Sequence, residues 1–158
     1  FTAIGTVAGR PLKVEGSTLA LVTLLKNETA FPVDLSINHD LADIAISGTV
    51  DPFSKIPSVD LDMEVSAYSL RGILALFRVE SPIEGFARLK TTITGPTTRI
   101  AVRDFDGELV IENGGGGRVR GNIDDLVNLN GLNFSAAVEL GKDSPFFEFL
   151  RDLGSPWK

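Results

Sequence analysis

Three acidic residues at two-residue spacing are the first candidates for chemistry in this sequence. Asp60, Asp62 and Glu64 alternate with apolar residues, so on a β-strand their carboxylates would share one face, about 7 Å apart. Such a row could gather a hard cation, or form a glycosidase-like carboxylate pair at a separation within the inverting range. A solvated strand face explains the same pattern without activity and is the favoured interpretation. We therefore expect no catalytic residue and no metal site here.

The single histidine is the second candidate. His39 lies in the polar sequence Asn38-His39-Asp40, where Asp40 or Asp43 could pair with it to make a general base. No serine in a sharp, glycine-flanked elbow accompanies it as a nucleophile. A histidine in a polar turn between two strands is the favoured interpretation.

A glycine run at residues 114–117 could cradle a phosphate through its backbone N–H groups. The Lys-Ser/Thr pair and the apolar helix that complete a phosphate-binding loop do not follow it. Instead Arg118, Val119 and Arg120 continue in a strand-like alternation. We interpret the run as a flexible hairpin connection or a poorly ordered linker.

Composition narrows the remaining choices. The 158 residues are 43% hydrophobic and include ten Phe, which excludes a disordered chain and fits one domain or a few small repeats. The 15 Lys and Arg are outnumbered by 21 Asp and Glu, giving a net charge of -6, so nucleic acid is not an expected partner. The absence of Cys and the lone His exclude thiolate catalysis and Cys-ligated zinc, and no cofactor is expected. The start Phe1-Thr2-Ala3 lacks Met and a signal pattern, and we interpret the chain as a fragment or processed product.

Alternation of apolar and polar residues predicts the elements that position these candidates. Period-two patterns run through residues 31–37, 44–50, 59–65, 87–93, 119–123 and 132–140. Turn formers separate them at Gly9-Arg10-Pro11, Asp51-Pro52, Gly95-Pro96, Asp106-Gly107 and Asn130-Gly131. Apolar spacings of three and four predict short helices at 18–26, 69–77 and 144–153, with Ser69 and Ser144 as N-caps. The prediction is a mainly β fold: a curved antiparallel sheet with short helical insertions, forming an open groove or half-barrel.

The pattern repeats after 73 residues. This shift superposes Ile46 on Val119, Gly48 on Gly121 and Leu61 on Phe134. Few identities accompany the match, so it is a repeat of pattern rather than of residues. It predicts about two units, at residues 9–81 and 82–154, within a single β-rich fragment.

The first unit has a strand at 46–53, an alternating strand at 57–66, a Leu-rich half-helix through Leu70, Leu74 and Phe77, and then Ser81-Pro82. The same pattern recurs in residues 117–125 and 132–138, and in the opening at 9–16 followed by 32–36. In this pattern the units resemble the AsmA family of bacterial envelope proteins. The similarity covers nearly the whole chain and contains no catalytic signature.

The resemblance implies a repeating β-groove with an apolar concave face, as in AsmA- and TamB-like proteins of Gram-negative bacteria. Such proteins are anchored in the inner membrane, extend through the periplasm, and support phospholipid transport and outer-membrane homeostasis. It implies a non-enzymatic segment with phospholipid or another acyl-chain ligand as its partner. Open sheet edges would additionally permit self-association.

The apolar strand residues are the lipid-facing candidates if the helices leave part of the sheet uncovered. They are Ile44, Ile46, Val59, Leu61, Met63, Val65, Leu89, Ile93, Leu132, Phe134 and Val138. The alternative is a closed β-sandwich that serves as a scaffolding or protein-interaction module, in which the same residues are ordinary core. A hydrolase that uses Asp60 and Asp62 is a third and weaker hypothesis.

Overall fold

The described part of the chain forms one nine-stranded antiparallel sheet. A computed structural model describes residues 1–7, 9–18, 30–76, 84–112 and 115–140. Its strands are β1 (Thr2–Val7), β2 (Arg10–Thr18), β3 (Phe31–His39), β4 (Ala42–Asp51), β5 (Ser58–Ala67), β6 (Gly85–Pro96), β7 (Ala101–Ile111), β8 (Gly115–Asp125) and β9 (Asn130–Leu140). One short helix, α1 (Leu70–Leu76), connects β5 to β6.

The strands follow one another in chain order from β1 to β9, and each neighbouring pair is antiparallel. Within the described residues β1 and β9 are not paired with each other, so the sheet is open and has two edges. The predicted mainly β architecture, a curved and open antiparallel sheet, is confirmed.

The 73-residue shift maps one hairpin onto another in the same register. Ile46 pairs with Met63 and Gly48 with Leu61 between β4 and β5. The shifted residues pair in the same way between β8 and β9, where Val119 faces Ala136 and Gly121 faces Phe134. The unit boundaries at 9–81 and 82–154 stay a prediction, because residues 8, 77–83 and 141–158 lie outside the described ranges.

Two equivalent glycines allow close approach between strands. A Cβ atom on Gly48 would overlap the carbonyl oxygen of Asp60, and one on Gly121 would overlap the carbonyl oxygen of Asn133. Gly48 has a φ of 144°, which side-chain-bearing residues rarely adopt. Glycines in strand interiors mark sharp local bends, so these positions are suited to bending the sheet at corresponding points of the two hairpins.

Strand β7 was not predicted, and its central bulge explains why. The register shifts between Lys90 and Thr92 on one side of β7 and between Val102 and Phe105 on the other. Asp104, inside the shift, has a φ of 50°. A bulge inserts an extra residue and breaks the period-two pattern. The predicted turn at Asp106-Gly107 is therefore wrong, because both residues lie inside β7.

The interpretation of the glycine run is also wrong for its described part. Gly115, Gly116 and Gly117 open β8 and pair with Leu140, Glu139 and Val138 of β9. Gly116 and Gly117 also pair with Val110 and Leu109 of β7. This pairing holds the glycines in the sheet in spite of their low strand propensity. Gly114 lies outside the described residues. Smaller boundary differences are that Arg10 and Pro11 lie in β2, and Asn130 and Gly131 in β9.

Of the three predicted helices, the middle one is described. Ser69 caps α1, since its Oγ accepts a hydrogen bond of 3.0 Å from the N–H of Gly72. Nearly all of the segment at 18–26, and all of that at 144–153, lie outside the described residues; Thr18 itself ends β2.

Tightly buried residues gather at the ends of the strands. The hydrophobic side chains with the least exposure are Leu41, Ala67, Ala101, Val102 and Ile111, at 4–7%. Leu41 lies in the β3–β4 turn, where its carbonyl accepts a hydrogen bond of 2.8 Å from the N–H of Tyr68. This bond ties the turn to the segment that leads into α1. No large side chain is fully buried in the part of the chain that the structure describes.

Candidate functional site

The strand register places all eleven lipid-facing candidates on one side of the sheet. Residues that pair directly across strands share a face. One such row, typical of the others, contains Ile44, Val65 and Leu89 on β4, β5 and β6. We call this side the apolar face; it includes Ile44, Ile46, Val59, Leu61, Met63, Val65, Leu89, Ile93, Leu132, Phe134 and Val138.

The apolar face continues beyond the predicted residues. The same registers add Leu12 and Val14 on β2 and carry the face onto β7 through Val102, Phe105 and Leu109. Leu12 and Val14 alternate with Pro11, Lys13 and Glu15, a signal that a stricter search for period two would have found. On β7 the bulge conceals the signal, because Val102 and Phe105 share the face although they are three positions apart.

Exposure of the apolar face increases toward β9. The eight candidates on β4, β5 and β6 are half-buried. On β9 the exposed fractions are 57% for Leu132, 44% for Phe134 and 59% for Val138, and neighbouring Val119 on β8 is 37% exposed. The described residues thus leave much of this hydrocarbon surface open to solvent.

Two aromatic rings on the apolar face meet above a glycine. Phe105 on β7 and Phe134 on β9 both lie in the row that contains Gly121 of β8. Their ring centroids are 5.6 Å apart and their planes are at 87°, an edge-to-face arrangement. Because Gly121 has no side chain, rings from the strands on its two sides can contact each other.

Within the described strands, few polar side chains lie on the apolar face, and the register places His39 and Asp125 at strand ends on that face. Thr91 is another such residue, but it is only 7% exposed, and its Oγ1 donates a hydrogen bond of 2.9 Å to the carbonyl of Arg103. The face therefore offers dispersion contacts and burial of hydrocarbon rather than polar recognition.

The acidic row lies on the opposite side, the polar face. Asp60, Asp62 and Glu64 are exposed. Asp62 accepts a hydrogen bond of 2.7 Å from the hydroxyl of Thr92, and Glu64 forms an ion pair of 3.2 Å with Lys90. Within the described ranges no three His, Asp or Glu side chains are placed so as to hold a metal ion.

The strongest charge cluster on the polar face surrounds Asp106. Its carboxylate accepts hydrogen bonds from Arg118, at 2.7 Å from Nε, and from Arg120, at 3.2 Å from Nε. These bonds lower the pKa of Asp106 to about 2, and the hydrogen bond from Arg118 has the largest effect. Asp106 is thus ionised at neutral pH and joins β7 to β8.

Clefts on the polar face surround the β7 bulge. The N–H of Asp104 donates to Oδ1 of Asn122 at 2.9 Å. A cleft of about 370 Å³ lies on the β8–β9 side of the bulge, lined by residues that include Arg120 and Ser135. Another of about 440 Å³ lies toward β5 and β6, and Asp104 and Asp106 line both. Most residues that line the two clefts belong to the polar face.

His39 is the last residue of β3 rather than part of the turn. Its side chain is 9% exposed, and its Nδ1 accepts a hydrogen bond of 3.1 Å from the N–H of Leu41. Asp40 Oδ1 also lies 3.0 Å from Nδ1. The other ring nitrogen, Nε2, is buried and has no hydrogen-bond partner among the described residues. This geometry fits a structural histidine that joins the strand to its turn.

Among the described residues, no helix has both the length and the apolar character needed to span a bilayer. Comparison with family models, with curated proteins and with solved structures finds no significant match to this chain. The geometry of the two faces and the resemblance of the sequence pattern are therefore the features that bear on function.

Proposed function

We propose that the chain is a non-enzymatic, AsmA-like segment that binds acyl chains of phospholipid on its apolar face. In this proposal it forms part of a periplasmic protein anchored in the inner membrane, and it supports phospholipid transport and outer-membrane homeostasis. The observation that carries the proposal is a continuous apolar face on an open sheet, with most of its described side chains exposed or half-buried.

The dimensions of the face suit hydrocarbon chains. Nine strands at about 4.8 Å spacing give a width of about 38 Å if the sheet is laid flat. One leaflet of a bilayer has hydrocarbon about 15 Å deep, so an acyl chain lying across the strands would span three or four of them. Burial of the exposed β8 and β9 side chains by such a chain would be favourable.

The side chains of the apolar face suit a ligand that contacts them with hydrocarbon rather than with polar groups. The hydroxyl of Thr91 is already hydrogen-bonded, whereas Leu132, Phe134 and Val138 offer exposed hydrocarbon. Headgroups would remain in solvent beyond the sheet. This division supports acyl-chain recognition that depends weakly on headgroup identity.

Uptake of a fluorescent phospholipid by delipidated protein tests the proposal. The substitution Val119→Glu puts a carboxylate on a 37% exposed position of the apolar face, and Phe134→Glu puts one beside Phe105. We expect each to reduce uptake at least tenfold, because a charge placed against hydrocarbon carries a large desolvation cost. Ser47→Glu on the exposed polar face of β4 adds the same charge and should leave uptake unchanged.

Urea unfolding of each variant separates binding from folding. Loss of uptake in variants that retain most of their unfolding free energy would support the proposal. If wild-type protein takes up no phospholipid, or if both apolar-face variants bind as well as wild type, the proposal is wrong. The remaining function would then be a scaffolding or protein-interaction module whose apolar face serves as structural core.

A further inference from the structure

The outer edge of β9 carries backbone hydrogen-bonding groups that pair with no other described residue. A Cβ on Gly121 would overlap the carbonyl oxygen of Asn133, so that carbonyl points toward β8. Backbone groups of successive residues point to opposite sides of a strand. Leu132, Phe134, Ala136 and Val138 therefore direct their N–H and C=O groups outward, where no described residue pairs with them.

Strand β9 itself lacks the sequence features that protect edge strands. Natural sheets block their edges with Lys, Pro, bulges or very short strands. Strand β9 is 11 residues long and contains no Lys, Arg or Pro; Glu139 is its one charged residue. Its pairing with β8 shows no register shift. By contrast, the other edge strand, β1, is only six residues long.

We propose that β9 pairs with β9 of a second copy of this chain, antiparallel and about a twofold axis. The direction of the strands selects this arrangement. In a meander, β1 and β9 run in the same direction, so β9 against β1 of a translated copy would be a parallel pair in an otherwise antiparallel sheet. Pairing β9 with itself keeps the antiparallel pattern and uses the longer edge.

Side chains on β9 complement themselves in one register. With the axis at Ser135, Leu132 faces Val138 of the second copy and Phe134 faces Ala136, so large residues meet smaller ones on the apolar face. On the polar face Asn133 faces Ala137, and Glu139 faces Gly131 instead of a like charge. The two apolar faces would then join into one surface across the dimer.

Charge substitutions at the axis test the pairing. Ser135 is exposed on the polar face, and its hydroxyl makes a long contact of 3.4 Å with the carbonyl of Arg120. A folded monomer should therefore tolerate Ser135→Lys or Ser135→Glu. In the dimer either substitution places two like charges opposite each other. The matched control is Ser47→Lys, which adds the same charge to the polar face of β4, away from both edges.

We expect wild type and Ser47→Lys to be dimers in sedimentation velocity, and Ser135→Lys and Ser135→Glu each to be folded monomers. An equimolar mixture of the last two should form a heterodimer, because opposite charges then meet at the axis. A monomeric wild type, or a dimer that persists in both Ser135 variants, would overturn the proposal. If a Ser135 variant loses the circular dichroism of the sheet, Ala136→Pro is used in its place, because it removes an outward N–H. A folded monomer then supports the proposal, and a dimer overturns it. The experiment measures the oligomeric state and not lipid uptake, so its outcome does not depend on whether the proposed function is right.

Discussion

Phe105 and Phe134 contact each other edge to face, although they belong to strands that are not neighbours in the sheet. Strand β8 lies between them, and its residue in that row is Gly121. The aromatic pair thus links three strands at the exposed end of the apolar face. Its geometry depends on the missing side chain at position 121.

Gly121→Ala should destabilise the sheet. The added methyl group would overlap the carbonyl oxygen of Asn133 and the ring of Phe134, and overpacking of this kind costs about 1–3 kcal/mol. Urea denaturation measures the change. Gly5→Ala on β1 is the matched control, because its Cβ has no neighbour within 4 Å. Equal effects at the two positions would contradict the close approach at Gly121.

The contact between the rings should appear as a coupling energy. In a double-mutant cycle with Phe105→Leu and Phe134→Leu, we expect a coupling of about 1 kcal/mol, the usual size for an edge-to-face pair. Each single substitution retains apolar volume, so the cycle isolates the aromatic interaction. Additive effects on the free energy of unfolding would show that the rings do not interact in solution.

Ser69→Ala should weaken α1. The substitution removes the acceptor for the N–H of Gly72, and loss of an N-cap costs about 1 kcal/mol. Ser69→Asp keeps an acceptor and should restore most of the stability. The measurement is the midpoint of thermal or urea unfolding. If Ser69→Asp is as destabilised as Ser69→Ala, the side chain does not act as a cap.

Asp106 should make stability depend on pH in the acid range. Its pKa falls from 3.8 to about 2 in the folded protein, chiefly through the hydrogen bond from Arg118. A group with a lowered folded pKa stabilises the fold above its unfolded pKa, and this contribution is lost as pH falls from about 4 toward 2.

Carboxyl NMR titration should show Asp106 ionised well below pH 3.8. Asp106→Asn should flatten the acid part of the stability profile, and added salt should reduce the difference because these side chains are near the surface. Asp60→Asn, at an exposed position on the same face, serves as the control. An unshifted titration of Asp106 would contradict the arginine cluster.

Local patterns predicted the regular strands well. In β4, β5 and β9 the alternation continues without interruption, so each candidate for the apolar face could be assigned to its side from the sequence. The cap at Ser69 was also predictable, because it depends only on residues close together in the sequence. In β7 prediction failed, because the extra residue at the bulge changes the face of every side chain beyond it.

Gly115, Gly116 and Gly117 show the opposite limit. Their intrinsic preference favours a loop, yet β9 pairs with all three, and β7 also pairs with Gly116 and Gly117, so they form a strand. The sequence around His39 similarly predicts a polar turn residue. Its burial and its hydrogen bond from Leu41 instead depend on how the chain leaves β3. Such effects come from neighbours that are distant in sequence or specific in geometry.

The sequence by itself determined that the chain would form strands with one apolar side, because the two-residue period of a strand is written directly in the residue order. Only the tertiary structure decided that the described residues form nine strands in one open sheet, that Phe105 reaches Phe134 over Gly121, and that β9 lies at one edge of that sheet. Register, bulges and edges arise from pairing between distant segments, and the order of residues along one strand does not specify its partner.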